Sequence, residues 1–283
     1  MGRDALSWAD AAAWAGRRGG MAPLRVGWRH RELIIAMLRR EVADRFSGSA
    51  FGWIWAIGAP LLTLAIYTLT FTRAMPLPVA SAQGGTAHYA LSTFVGLIVF
   101  GVFAELSCRA SLLLHEHAWF LKTSIFPSET LAWTAVFRAL VYSGISLVLL
   151  IAFQLALDGS VPLSLLLVPV IIVPFVLFLV GLVWFLAAVG AFTRDLSYLM
   201  ITFVPLLMLA TPVFYRASDL PPGLRLAALI NPIGATIELL RSAILGGAIP
   251  LVACLGLTII SVAVFRGGYA VFQRYKGIVV DVI

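Results

Sequence analysis

Charge is what this sequence has least of. Of its 283 residues 12% are charged and 61% are hydrophobic. A soluble globular chain carries about 25% charged residues. The deficit excludes an ordinary water-soluble core and makes the chain an integral membrane protein. At this length one membrane domain is expected, with no room for a separate catalytic domain. Cysteine is scarce as well. Cys108 and Cys254 lie in or beside apolar stretches. Two such residues make neither a disulfide framework nor a metal site, and they read as small packing residues. No Gly-x-x-x-x-Gly-Lys-Ser/Thr loop is present, so the chain cannot cradle a nucleoside triphosphate. No Gly-x-Ser-x-Gly, His-Glu-x-x-His or Cys-x-x-Cys occurs. Carboxylates in the apolar stretches are too few for a proton relay. Any transmembrane work by this chain draws its energy from elsewhere.

What charge there is lies mostly at the start. The net charge is +7, and nine arginines precede Phe51. None of them interleaves with an aromatic stacking platform, which argues against nucleic acid. They fit the excess of basic residues found on the cytoplasmic side of membrane proteins. Residues 1–27 hold Trp8, Trp14 and arginines but no unbroken apolar run, so they are not a secretory signal. They read as a flexible cytoplasmic tail. Residues 28–47 form an amphipathic pattern. On a helix, Ile34, Ile35, Leu38, Val42 and Phe46 share one apolar arc, with Arg39, Arg40 and Asp44 opposite. Such a helix lies in the membrane surface with Arg39, Arg40 and Arg45 toward anionic headgroups. Ser47-Gly48-Ser49 then turns the chain.

From 51 to 72 about 22 residues run without charge, enough to cross roughly 30 Å of hydrocarbon. A Pro/Gly/Ser-rich loop follows. The second span is 89–106, where Glu105 and Arg109 can pair four residues apart on one helix face. Residues 111–131 are too polar to span. His115, Glu116 and His117 lack a third ligand, so no metal site is expected. Ser128 is a plausible helix N-cap. The third span is 131–157, and Arg138 in its first turns can snorkel to the interface. The fourth is 163–192, kinked at Pro169 and Pro174. The fifth is 196–214. Two short helices at about 223–230 and 232–245 are each too short to cross, with Asn231 as N-cap and Pro232 first. Arg216, Asp219, Arg225, Glu238 and Arg241 keep this segment at the outer surface. The last span is 250–265, and Arg266, Arg274 and Lys276 hold the C-terminus inside. The expected fold is an all-α integral membrane protein. It has six transmembrane helices, an N-terminal interface helix and two short external helices between spans five and six.

The order of short motifs resembles the permease subunits of polysaccharide-exporting ABC transporters, the capsule, O-antigen and teichoic-acid export family. The residues are Arg45, Phe46, Gly48, Ser49, Gly52, Trp55, Pro60 and Leu61. Later come Lys122, Phe126 and Pro127, then Phe192, Arg194 and Asp195. The fullest match is Thr211, Pro212, Val213, Tyr215, Leu220, Pro221, Asn231, Pro232, Glu238, Arg241 and Gly246. The likeness runs from about 29 to 276, and the arginine-rich tail departs from it. It implies an export-permease domain over 48–283. The chain would not be an enzyme, with ATP and Mg held by a separate ABC ATPase and no cofactor here. It implies a coupling segment at His115, Glu116, Trp119, Phe120 and Lys122, and it makes the two short external helices re-entrant, with an external gate at Asn231, Pro232, Glu238 and Arg241. Aromatics at Tyr67, Phe71, Phe203, Phe214 and Tyr215 would line a channel for sugar rings; lipid-facing packing is the alternative role for them. The implied assembly is a homodimer with two ATPase subunits, a lipid-linked polysaccharide and further periplasmic or outer-membrane export components. It would sit in the bacterial inner membrane with both termini cytoplasmic. Two other functions stay open: export of a lipid or drug by the same architecture, and a membrane enzyme acting on a polyprenyl-linked sugar. An acidic pair or metal cluster near an interface would favour the enzyme, and the sequence shows neither.

Overall fold

The computed structural model describes residues 22–45, 49, 51–70, 85–123, 126–193 and 195–282. Most of these residues are helical, and there is no strand among them. Helices α1 (Ala22–Arg29) and α2 (Arg31–Asp44) come first, and α3 is Ile54–Leu69. Helix α4 (Thr86–Ala110) leads into two short pieces, α5 (Leu113–Glu116) and α6 (Ala118–Thr123). Then come α7 (Thr130–Asp158), a 3-10 turn at Leu163–Leu167, α8 (Val168–Gly190) and α9 (Asp195–Ala210). The bent pair α10 (Pro222–Ile230) and α11 (Pro232–Leu245) precedes α12 (Leu251–Val282).

Four helical segments are long and apolar enough to cross a membrane: Ala87–Ala110, Thr130–Asp158, Leu163–Gly190 and Leu251–Gly277. The other two expected spans, α3 and α9, are apolar helices of 16 residues each. At 1.5 Å per residue each covers about 24 Å, short of the usual hydrocarbon thickness. Helix α3 starts late because Gly52 has φ of +50°. An L residue before a regular helix does not adopt that angle easily, so the chain turns there first. Helix α12 runs well past the expected end at 265. Arg266, Arg274 and Lys276 therefore ride on the helix rather than follow it.

The core is built around α8 and α12. Trp184, Leu179, Val180 and Leu257 are nearly or fully buried between them and their neighbours. Gly181 faces the backbone of Phe265, and Gly268 faces the carbonyl of Gly181. Small residues let the two backbones approach to a distance no side chain would allow. Helices α4, α7 and α11 pack around this pair. Helix α11 buries most of its length, including Ile233 through Ile237 and Leu239 through Arg241. The expected pair of short helices is present with nearly the expected bounds, bent by 91° at Asn231. Asn231 Oδ1 accepts from the Ile233 N–H at 3.0 Å, which caps α11 as expected.

Several local expectations are corrected. The chain is already helical at Ala22, inside the stretch read as tail. Ile34 is buried on α2 but Ile35 is exposed, so the apolar arc is narrower than the pattern suggested. Phe46, Ser47 and Gly48 lie outside the described residues, as do Phe71 and Arg194. Pro169 sits at the first turn of α8, where its missing N–H costs nothing, so it does not kink the span. Glu129, not Ser128, occupies the N-cap of α7, and the Ser128 hydroxyl is buried without a partner among the described residues.

Candidate functional site

Two clusters of functional candidates sit at opposite ends of α4. Tyr89 near its start reaches Phe214, and Arg109 near its end reaches Glu116. Twenty residues of helix separate these anchors by about 30 Å.

At the Arg109 end, α5 and α6 cross beneath the bundle beside α2. Trp119 projects from α6 and is 69% exposed. Its ring meets Phe120 edge-on at 5.2 Å, and Phe120 continues to Phe126 at 6.1 Å. Phe120 and Phe126 form one wall of an open groove of about 590 Å³, with Leu33, Met37 and Arg40 of α2 opposite. Glu116 pairs with Arg109 at 3.1 Å. His117 Nδ1 lies 2.9 Å from the Leu113 carbonyl, which only accepts, so that nitrogen carries the proton. The Nδ1 of His115 is buried without a partner among the described residues. Lys122 has its backbone in α6, and its side chain lies outside the described residues. The structure thus brings Glu116, Trp119 and Phe120 to one exposed ledge and turns His115 inward. No group of three or more His, Cys, Asp and Glu side chains among the described residues could hold a metal ion.

Above the ledge lies an ionic cluster that the sequence reading missed. Arg138 is 93% buried by its side chain and does not snorkel to solvent. It reaches Glu41 of α2 at 3.3 Å and Glu105 of α4 at 3.1 Å. Arg45 also reaches Glu105, at 3.0 Å, and stacks over Tyr142 at 4.1 Å. The expected Glu105–Arg109 pair is therefore replaced: Glu105 turns to Arg45 and Arg138, and Arg109 to the loop. Arg39 and Arg40 remain on the exposed side of α2, with Arg40 at 3.7 Å from Asp44. The available signal was the presence of Glu105 and Arg138 within apolar runs, where an ion is held only with a partner.

A second tether closes the same end. Glu129 accepts from Lys276 Nζ and from Gln273 Nε2, both at 2.7 Å. Burial pushes its carboxyl up, but the bond from Lys276, aided by the backbone and Gln273, holds it below its ordinary value. The Trp184 indole N–H donates to the Glu129 carbonyl at 3.1 Å. The far end of α12 is thereby fixed to the start of α7.

At the other end of α4, Arg241 is 3% exposed rather than a surface charge. Its guanidinium donates to the carbonyls of Ser92, Pro212, Val213 and Tyr215, and to Glu238. A buried cation is tolerated here because its donors find oxygen acceptors. Glu238 also accepts from the Ala217 N–H at 3.1 Å. These bonds fix the 211–217 turn. The turn presents Phe214 to Tyr67 of α3, with the rings stacked at 5.6 Å. Tyr215 sits beside it, and burial pushes its phenol up. Phe203 stands apart on α9, 48% exposed.

Comparison with known proteins agrees with this architecture. The profile of the ABC-2 type transporter family matches residues 32–245. The O-antigen export system permease protein RfbA of Klebsiella pneumoniae is 24% identical over 252 residues, covering 87% of this chain and 92% of that protein. A second Klebsiella pneumoniae protein of that name is 21% identical over the same length and shares. The Myxococcus xanthus protein of that name is 26% identical over 193 residues, 68% of this chain and 72% of that one. The match covers α2 through α11 and both clusters. This multi-pass membrane chain belongs to the ABC-2 type transporter family.

Proposed function

We propose that the chain is the permease subunit of an ABC exporter for a lipid-linked cell-surface polysaccharide of the O-antigen or capsule kind. The observation that carries this is the end-to-end likeness to a permease named for O-antigen export, over 92% of that protein. Other features support it. The chain has no nucleotide-binding loop, so ATP and Mg belong to a partner ATPase. The Trp119–Phe120 ledge is an exposed aromatic surface of the kind that receives a partner. The apolar helices α3 and α9 leave large faces uncovered, as two copies meeting around a channel require. On this reading α3 and α9 both span, giving six spans in the inner membrane, with both termini in the cytoplasm. Tyr67, Phe214, Tyr215 and Phe203 offer flat faces on which sugar rings slide without fixed hydrogen bonds.

The test is the double substitution Trp119→Ala and Phe120→Ala in a strain that also makes the ATPase. An aromatic anchor in a partner pocket carries about 2 kcal/mol or more of interface energy. Co-purification of the ATPase and surface polysaccharide should both be lost, with the permease level in the membrane unchanged. Normal association with normal export removes the coupling role of the ledge.

A further inference from the structure

Helix α3 is an apolar helix with little of its surface buried in the bundle. Of its 16 residues only Ala56 and Leu64 are buried. Behind it lies an open-sided cavity of about 400 Å³, bounded by Ala59 and Thr63 of α3, Ile98 and Gly101 of α4, and Ser143 and Ser146 of α7. Gly101 is exposed on the open side of this cavity, and a side chain there would meet nothing within 4 Å.

The cluster closes one end of this cavity. Arg45, just ahead of α3, is held by Glu105, and Glu105 is held by Arg138. Arg138 also binds Glu41, so α2 is fixed to α7 through the same guanidinium. Two carboxylates face two guanidiniums, and the group is neutral as a whole. One turn further along α4, Arg109 binds Glu116 of the loop ledge. Residues four apart share a helix face, so Glu105 and Arg109 move together. A displacement of the ledge is thus delivered through α4 to Arg45, which lines one cavity with Trp55 and Ala56 at the start of α3.

We propose that Arg45 and Arg138, clamped on Glu105, are positioning residues for export: they hold the start of α3 as a pivot while α3 moves into the cavity behind it. This rests on the export reading. The packing is consistent with such a motion. The bundle around α8 and α12 is tightly interlocked, whereas α3 can shift without opening that core. The pivot end is polar and fixed, and the distant end meets the bundle through the Tyr67–Phe214 stack.

The test uses the permease co-expressed with its ATPase. Gly101→Phe fills the cavity from the α4 side. Surface polysaccharide should fall to background while the ATPase still co-purifies. In parallel, cysteines replace Ala59 and Ile98 in a Cys108→Ala, Cys254→Ala background, and a short bifunctional thiol reagent joins them. The crosslinking yield should change when a non-hydrolysable ATP analogue is added, and Glu105→Gln should abolish that change. A Gly101→Phe permease that exports like the wild type overturns the proposal, as does a yield that ignores nucleotide. Should Gly101→Phe fail to accumulate, the crosslinking arm decides alone. A wild-type complex that exports nothing sinks the export reading itself, whereas an exporting complex whose crosslinking yield ignores nucleotide sinks only the pivot.

Discussion

Arg241 Nε donates to the carbonyl of Ser92 at 2.9 Å, across 149 residues of sequence. Through the same guanidinium the 211–217 turn, α4 and α11 become one unit. Arg241→Met keeps much of the volume and removes every donor. Each buried carbonyl left without a partner costs about 1–3 kcal/mol. The variant should lose several such increments and melt well below the wild type in detergent. Arg241→Lys should recover little, because one ammonium cannot reproduce a planar fork reaching four carbonyls. Thermal unfolding of the purified permease checks this, and a wild-type melting temperature for Arg241→Met would contradict it.

Backbone proximity gives a second prediction. A Cβ on Gly181 would lie 2.5 Å from the Cα of Phe265, and one on Gly268 would meet the Gly181 carbonyl. Both obstacles are backbone atoms that cannot swing aside. Gly181→Ala and Gly268→Ala should each force α8 and α12 apart and sharply reduce folded protein. Gly267→Ala meets nothing within 4 Å and should behave as the wild type. The yield of monodisperse protein by gel filtration separates the three. Equal yields would mean that the α8–α12 crossing does not depend on these glycines.

These two sites show where sequence reading reaches. Apolar length located five of the six expected helices to within a few residues, and Asn231-Pro232 marked the bend between α10 and α11. Those signals are local: a run of apolar residues, a cap, a proline. The true end of α12 was missed because polarity after 265 was read as loop, while Lys276 is held by Glu129 from another segment. Arg138 and Arg241 were assigned to the surface for the same reason. A charge in an apolar run shows that a partner exists, but Glu41, Glu105 and the Ser92 carbonyl come from remote segments. The Glu105–Arg109 spacing was correct for a pair, yet better-placed partners across helices took both residues.

Acid sensitivity follows from Glu129. Its folded-state carboxyl titrates below the ordinary value of 4.5, since the bonds from Lys276 and others outweigh burial. A depressed acid contributes stability that is present above its unfolded pKa. That contribution fades as pH falls below the ordinary value and is gone once pH passes the depressed one. The tether of α12 to α7 should therefore loosen on acidification in that window. Glu129→Gln should lower the melting temperature at pH 7 and flatten its dependence on pH below about 4.5. Melting curves of both proteins across that range are the measurement. Parallel curves would show that another group governs the acid limb.

The proposed dimer makes a prediction that separates two aromatics once placed together in one channel wall. Phe203 stands 48% exposed on α9, among exposed Leu199, Ile201 and Leu206. Tyr67 is instead stacked within its own chain on Phe214 at 5.6 Å. If two copies meet across α9 and α3, the first position faces the partner and the second is partly covered by its own turn. Cysteine at Phe203, in a background lacking Cys108 and Cys254, should form a covalent dimer readily in membranes. Cysteine at Tyr67 should do so less well, and better when Phe214 is also reduced to Ala. The alternative is that the α9 face touches lipid alone. Lipid contact leaves Phe203→Cys monomeric under the same oxidation, because no second thiol lies within reach of a disulfide, which needs Cα atoms about 4.4–6.8 Å apart. Gel mobility without reductant reads the result directly. A strong dimer band at Phe203 that survives dilution of the protein into excess lipid supports a fixed interface. No band at either position would leave the uncovered faces of α3 and α9 to lipid and remove the two-fold channel from the proposed function.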